Sequence, residues 1–513
     1  MRVTGVGAGG SRGDPPIRLT WEAQMAIPPL RARWLEFLDD GDIRRIHSAV
    51  LRVLSEVGVR MEYRPALETM RDGGCEVDFA KHLVRVPEHV LRKALPTAPS
   101  QFTLAGQRAE FDVPVDLQGI YTIGGSSALY VLGLDGQRHR ATLQDLIDLT
   151  RLQDALQNLH IMHAIVIPQE IPQPGFDRVL FATVVPNTSR NYYSQGQGAA
   201  SIRDQVEMAS VILGSSDALR RRPIFTVVLC MVSPLLHPGI RLEELMECVR
   251  CGIPIYIEVD AQAGGTTPIT LAGTIVEECA NVLAGLTLAQ ILSPGHPCIF
   301  AIASGIMDMT TGNYSGAAPE SSVLHAATAQ MARFYGLPFQ GGTGIDATVP
   351  DAQAGYERAL QVLTNALAGV NFIHLSVGMM EQMLLASYEQ CVIDDEIIGA
   401  AFHIARGVEV NDDTIAFDVI RELGPANSQY VMHDHTLRYL RKVFWPPGIT
   451  NRQKWDRWMA AGGRDMRQRA RDRARQILAE HQPRYLEEDK VREIQRIALA
   501  AQQQAVREQS ERR

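Results

Sequence analysis

Apolar residues recur along most of this chain in two alternating rhythms. Short apolar runs of the kind that form buried strands lie at residues 119–123, 159–168, 191–196, 224–233, 253–259, 298–304, 337–340 and 371–377. Between them fall stretches with helical spacing, near 142–157, 176–185, 202–214, 240–250, 270–292, 318–335 and 351–369. Gly252, Gly336 and Gly369 stand just past three of these stretches, where a helix stop is expected. Strands alternating with helices imply a parallel sheet with right-handed crossovers, and eight such units close into a (β/α)8 or TIM barrel. An open, doubly wound sheet is the alternative.

The flanks follow other patterns. Leu35, Leu38, Ile43, Ile46, Val50, Val53 and Leu54 form a helical stripe that ends at Gly58, and residues 60–118 mix short apolar runs with turn residues. The expected organisation is a disordered, Gly-rich lead-in over 1–34, an N-terminal helical and mixed subdomain over 35–118, the α/β barrel over 119–428 and a C-terminal helical extension over 429–513. After the eighth strand, Met379, Met380 and Met383 read as a Met-rich helix filling core, and Asp394 and Asp395 as acidic turns. The tail from Arg464 onward reads as a charged, solvated helix.

Composition narrows the partners. The 513 residues include 50 Lys plus Arg against 58 Asp plus Glu, a formal net charge of -8, which gives no reason to expect nucleic acid or an anionic membrane as the main partner. No uninterrupted apolar stretch is long enough to span a bilayer, and the N-terminus lacks the apolar core of a secretion signal. A cytoplasmic protein is expected. Seven cysteines, an odd number set in apolar runs, fit reduced core thiols better than a disulfide framework. Cys248 and Cys251 end a helix rather than open one, so they read as structural. His433 and His435 give only a weak metal signal, and no metal site is expected.

The chemistry is expected at the carboxyl ends of the strands. The run GLPFQGGTGIDATVPDAQAGYE, residues 336–357, reads there as strand, Gly-rich loop and helix start, with Asp346 at the strand's carboxyl end. The other rim residues read from the sequence are Tyr121, Gly124, Gly125, Ser126, Gln169, Glu170, Gln195, Gln197, Glu258, Asp260, Ser304, Asp308, Gln340, His374 and Ser376. No Cys, Lys or paired His appears among them, which disfavours a Schiff base, a thiol nucleophile and a thiolate–zinc site. A cup of Gln, Tyr and carboxylates suits a small polar or cationic molecule. Tyr121, Tyr193 and Phe339 offer ring faces for a quaternary ammonium, or else fill the barrel.

Several of these runs resemble the trimethylamine methyltransferase family. The resemblance is carried by GAAPESSVLHAATAQMARFYGLPFQGGTGIDATVPDAQAGYERAL, PIYIEVDAQAGGTTPITLAGTIVEECANVLAG, VSPL at 232–235, IHSAVLRVLSEVGV at 46–59 and HTLRYLRKVFWPP, and spans about residues 35–480. It implies a TIM barrel that moves a methyl group from a methylated amine to the cob(I)alamin of a separate corrinoid protein. Members acting on trimethylamine carry pyrrolysine; this sequence does not, and looks like the branch acting on quaternary amines such as betaines. The resemblance assigns Asp346 and His374 to catalysis, and Gln340, Tyr121, Gln195, Glu258, Gly341 and Gly342 to substrate binding. A homo-oligomer is expected. A barrel with another methyl acceptor, or a non-catalytic sensor of methylated amines, is the alternative.

Overall fold

The computed structural model describes residues 35–425 and 429–511, so the lead-in expected over 1–34 lies outside the described residues. Eight parallel strands form the centre: β1 (Tyr121–Thr122), β2 (Ile161–His163), β3 (Asn191–Ser194), β4 (Phe225–Met231), β5 (Ile255–Val259), β6 (Cys298–Ile302), β7 (Phe339–Gly342) and β8 (Phe372–His374). β8 pairs with β1 through Phe372↔Tyr121, and an Ile123↔Ile161 bridge joins β1 to β2. The sheet is a closed (β/α)8 barrel, not an open one.

The crossover helices are α1 (Leu143–Asp154), α2 (Phe176–Val184), α3 (Ala199–Leu213), α4 (Gly239–Cys251), α5 (Leu271–Leu292), α6 (Pro319–Phe334) and α7 (Ala352–Ala368), followed by α8 (Tyr388–Ala405). Asp351 caps α7 by accepting from the Gln353 and Ala354 amides, and Gly369 ends it at φ +74°, a conformation an L side chain resists. α5 is long and apolar enough to cross a membrane, yet it lies buried between the barrel and the N-terminal layer.

That N-terminal layer is mixed. The helices Asp40–Arg52, Arg64–Asp72 and Glu88–Ala94 accompany a sheet of Val59–Met61, Glu76–Asp78, Leu83–Arg85 and Leu236–His237. A hairpin of Gln101–Leu104 and Val113–Asp116 plugs the amino-terminal end of the barrel: Leu104, Val113 and Val115 share one buried cluster with Tyr121, Tyr256, Ile299 and Phe372. At the C-terminus, Met466–Glu480 packs on α8 and α1, and Glu488–Glu511 on α2 and α3.

Two expectations for the segment after β8 fail. Met379–Met380 is a strand paired with Leu385–Ser387, and Glu381, Gln382 and Met383 all have positive φ, which turns the chain back and forbids a helix. Asp394 and Asp395 sit inside α8 rather than in turns. Asp394 forms a fully buried ion pair with Arg358 at 3.1 Å, and Asp395 accepts from the Asn158 amide at 2.8 Å.

Candidate active site

Strand register assembles the site. Cys230, Glu258, Ala301 and Gln340 are successive ladder partners across β4, β5, β6 and β7. Strand alternation sends Ile255, Ile257 and Val259 out to the helices and turns Tyr256, Glu258 and Asp260 inward, from the plug toward the mouth. Ala301 is small, so the Glu258 and Gln340 side chains meet across β6.

Glu258 is the hub. Its carboxylate accepts from Tyr193 Oη at 3.2 Å, from Cys230 Sγ at 3.3 Å and from Gln340 Nε2. Because that carboxylate needs a donor, the Gln340 amide presents nitrogen to it, and the same nitrogen lies 3.3 Å from His374 Nδ1. His374 Nδ1 then accepts and Nε2 carries the proton, which it donates to His163 Nδ1 at 3.3 Å. His163 Nε2 faces Ser126 Oγ at 3.4 Å. The His163, Tyr193 and His374 rings lie 4.8 to 5.5 Å apart, and Tyr256 meets Tyr193 at 4.7 Å. The Thr343 amide and hydroxyl both donate to the His374 carbonyl at 2.9 Å, which fixes the end of β8.

Burial sets the protonation. It pulls His374 down to about 3 and His163 well below its ordinary value, so both imidazoles are neutral near pH 7. The Glu258 carboxyl is raised by burial, against the pull of its three donors. Asp260 stands at the mouth, exposed at its surface yet ringed by protein, and is raised well above its ordinary value by that enclosure and then by Glu258's charge. Gln340 Oε1 and Tyr256 Oη are buried with no hydrogen-bond partner. An unsatisfied acceptor beside a carboxylate and several ring faces makes a receptor for a cation.

The expected residues separate into three groups. Gln340, His374 and Glu258 meet in this layer. Gln195 lies two residues beyond Tyr193 on the same strand face, its buried Nε2 unpartnered; the next residue's carbonyl, Gly196 O, accepts from Arg241 Nη1 at 3.1 Å. Asp346 lies at the same end of the barrel but on the rim, held by Ser315 Oγ and sharing a small pocket with Tyr314, Gln382 and Met383. The Tyr121 and Gly341 assignments are corrected, while Gly342 lines the small pocket beside Asp346. Tyr121 belongs to the amino-terminal plug, where its hydroxyl donates to Pro114 O at 2.6 Å. A Cβ on Gly341 would face Val370 and His325 in the helix layer; one on Gly342 would meet Ala303 at 3.2 Å and on Gly344 would meet Gly316 at 2.8 Å. None of these three glycines has positive φ, so the loop is Gly-rich for backbone packing. Phe339 also faces outward, against Phe300.

Cys230 and the contacting pair His163 and His374 were missed as a thiol and paired imidazoles. Both sit within the ladders rather than beyond them. Cys230, Glu258 and Asp260 also bring their ligand atoms within 4.8 Å of one another. Burial and Glu258's charge keep the Cys230 thiol protonated, so it serves there as a donor to Glu258.

The chain is similar to several known proteins. The chain is 33% identical over 448 residues to a glycine betaine methyltransferase of Desulfitobacterium hafniense (strain Y51), covering 87% of this chain and 93% of that one. It is 31% identical over 474 residues to the trimethylamine methyltransferase MttB of Desulfitobacterium hafniense (strain DSM 10664 / DCB-2), covering 92% and 95%. Among solved structures, the monomethylamine methyltransferase MtmB of Methanosarcina barkeri aligns with a TM-score of 0.44 at 11% identity, over 90% of this chain and 99% of that one. The family model for trimethylamine methyltransferase (MTTB) matches residues 10–505, and the chain belongs to that family.

Proposed function

We propose that this protein is a methyltransferase that takes a methyl group from a quaternary amine, with a betaine as the favoured substrate class, and passes it to a corrinoid carried by a separate protein. The observation that carries the reading is the Glu258 carboxylate, set among Tyr193, Tyr256 and neutral His374, with Asp260 above it. Among the described residues this layer holds no cation of its own, so its negative charge awaits one from the substrate. The betaine and trimethylamine specificities of the two curated relatives support an amine as that cation.

The corrinoid supplies the nucleophile when its carrier docks. The barrel is plugged at the amino-terminal end, and Asp260 is reachable from solvent at the other, so the residues fit an acceptor presented from outside at the mouth. The chain's own task is orientation. Glu258, Asp260 and the tyrosine faces hold the ammonium, and Gln340 Oε1 accepts its polarised C–H groups. The unpartnered Gln195 Nε2 donor suits a carboxylate at the other end of a zwitterion, whereas the nearby Arg241 guanidinium is already paired with the buried Glu244 carboxylate at 2.6 Å. As the methyl carbon leaves, the C–N electron pair stays on nitrogen and a neutral tertiary amine departs. No proton is needed, and holding the methyl group in line while excluding water supplies several kcal/mol. His374 and Asp346 then position rather than transfer protons.

The test is a panel of betaines and other quaternary amines incubated with the enzyme and reduced cobalamin, scored for the demethylated amine. Demethylation of at least one is expected. Tight binding of an amine with no demethylation, even with a cognate corrinoid protein, would favour the sensor reading.

A further inference from the structure

Asp260 lies one residue beyond the end of β5, so the strand ladder that holds Glu258 does not by itself hold Asp260. In a regular parallel ladder the next rung after Val259 runs from the Ala261 amide to the Ala303 carbonyl, beside Asp260. That rung is made by a side chain instead. The Ala261 amide donates to Ser304 Oγ at 2.9 Å, and Ser304 Oγ donates to Val259 O at 3.2 Å. Ala303 O is taken by the Tyr314 hydroxyl at 2.7 Å. One hydroxyl therefore bridges the two peptide groups on either side of Asp260.

Ser304 is held in turn. Its carbonyl accepts from His325 Nε2 at 2.8 Å, so that nitrogen carries the imidazole proton. Burial pulls His325 down to about 4, which keeps the ring neutral and the contact unchanged near pH 7. Backbone bonds from Ala303 N to Val259 O at 3.3 Å and from Gly305 N to Ala261 O at 3.0 Å close the frame on both sides. Ser304 is 0% exposed, so any effect it has on a substrate passes through the backbone of 259–261. The direction of a side chain follows its Cα–Cβ bond, and the two flanking peptide planes set that bond.

We infer that Ser304 is a positioning residue for the cation receptor: by bonding both peptide groups of Asp260 it aims that carboxylate at the ammonium held beside Glu258. The inference rests on the reading of Glu258 and Asp260 as that receptor. A serine serving stability alone satisfies the Ala261 amide and leaves cation affinity untouched, or lowers it independently of Asp260. A clamp matters to binding only while there is a carboxylate to aim, so the two roles separate in a double-mutant cycle.

The test uses the full-length chain and tetramethylammonium, a cation with no carboxylate, titrated by calorimetry into the parent, Ser304→Ala, Asp260→Asn and the double variant. Ser304→Ala should weaken binding about tenfold, the order of one hydrogen bond that serves a charged group, and Asp260→Asn at least as much. The double variant should bind within about twofold of Asp260→Asn alone. In turnover of a quaternary amine the Ser304→Ala loss should fall on KM, with kcat changed by less than about twofold. Melting curves check the fold of each variant. Ser304→Cys, which fills the same space with a poor acceptor, replaces Ser304→Ala should that variant not fold. Parent-like affinity in the folded serine variant overturns the inference and leaves the receptor standing, as does a double variant whose loss is the product of the two single losses. A parent that does not bind tetramethylammonium, or an Asp260→Asn variant that binds it as the parent does, removes the receptor itself and the inference with it.

Discussion

Replacing Glu258 by Gln removes one charge from the receptor and little volume. A tetraalkylammonium nitrogen is kept about 5 Å from a carboxylate oxygen by its own methyl groups. At an effective dielectric constant of about 20 that separation is worth about 3 kcal/mol. Removing it should lower kcat/KM by about two orders of magnitude. The loss should appear largely in KM, since the charge is felt by bound substrate and transition state alike, and the assay is the initial rate of amine demethylation at saturating reduced cobalamin. The pH profile adds an independent readout. Glu258 and Asp260 both hold their protons above the ordinary carboxylate range, so kcat/KM for a cation should rise with pH through that elevated range. Glu258→Gln removes the charge that helps push Asp260 up, so the residual activity should rise at lower pH than in the parent. A folded variant that loses less than threefold, with its acid limb unmoved, would refute the cation receptor at Glu258.

Three further outcomes follow from the same geometry. Gln195→Leu should raise KM for a betaine about tenfold, the worth of a hydrogen bond to a charged group, while leaving an amine without a carboxylate nearly unaffected, read as paired KM values. Tyr121→Phe should lower stability by about 1 kcal/mol through the lost bond to Pro114 O, measured by urea denaturation, and leave kcat unchanged. Glu278, fully buried in α5, is pushed up to about 8 from 4.5 by burial. The folded state therefore binds this proton more tightly than the unfolded chain, and stability is lost as pH rises from about 4.5 to about 8. At about 1.4 kcal/mol per pH unit the loss reaches about 5 kcal/mol. Glu278→Gln should flatten that slope in denaturation curves at pH 5 and pH 8.

Much of the barrel is legible in the sequence because strands buried on both faces read as apolar runs and helices stop where glycine allows. Gly252, Gly336 and Gly369 all fall at helix ends with φ between +72° and +76°. The candidate site is less legible because the apolar runs point to polar residues after the strands, whereas the Glu258 layer lies inside them. The second apolar run extends to Pro168, but the ladder ends at His163, so the run points to Gln169 and Glu170 as rim residues and hides His163 inside it. Glu170 instead accepts from the Leu143 amide at the start of α1. One residue of parity decides the rest: Gln340 faces Glu258, and its neighbours Phe339 and Gly341 face the helices. Of Gln340, Asp346 and His374, which the resemblance puts on one cavity, Gln340 and His374 meet beside Glu258 while Asp346 lies apart on the rim, and the resemblance carries no side-chain direction for Tyr121 or Gly341. The sheet of Gln262–Ala263, Gly305–Met307 and Tyr314–Ser315, and the one that joins Met379–Met380 and Leu385–Ser387 to Tyr130–Leu132 and Arg138–Arg140, are also illegible, since strands of two or three residues leave no periodicity to read.

The chemistry of the leaving group explains why carboxylates suit this layer and acids do not. Methyl transfer from nitrogen requires that nitrogen carry a full positive charge while the C–N bond breaks. A tertiary amine holds that charge only through a proton, and a carboxylate placed beside it is a ready acceptor for that proton, which would return the substrate to an unreactive neutral form. A quaternary ammonium has no proton to lose. For it, a receptor built from Glu258 and Asp260 stabilises the cation at no risk to its reactivity, and the raised affinity of both carboxyls for protons is overcome by the bound charge itself. The neutral His374 and His163 complete the match, because burial keeps them from adding a competing positive charge beside the ammonium. A neutral His374 and a protonated Cys230 thiol beside the Glu258 carboxyl, with neutral His163 behind His374, thus favour a substrate whose charge is fixed over one whose charge titrates.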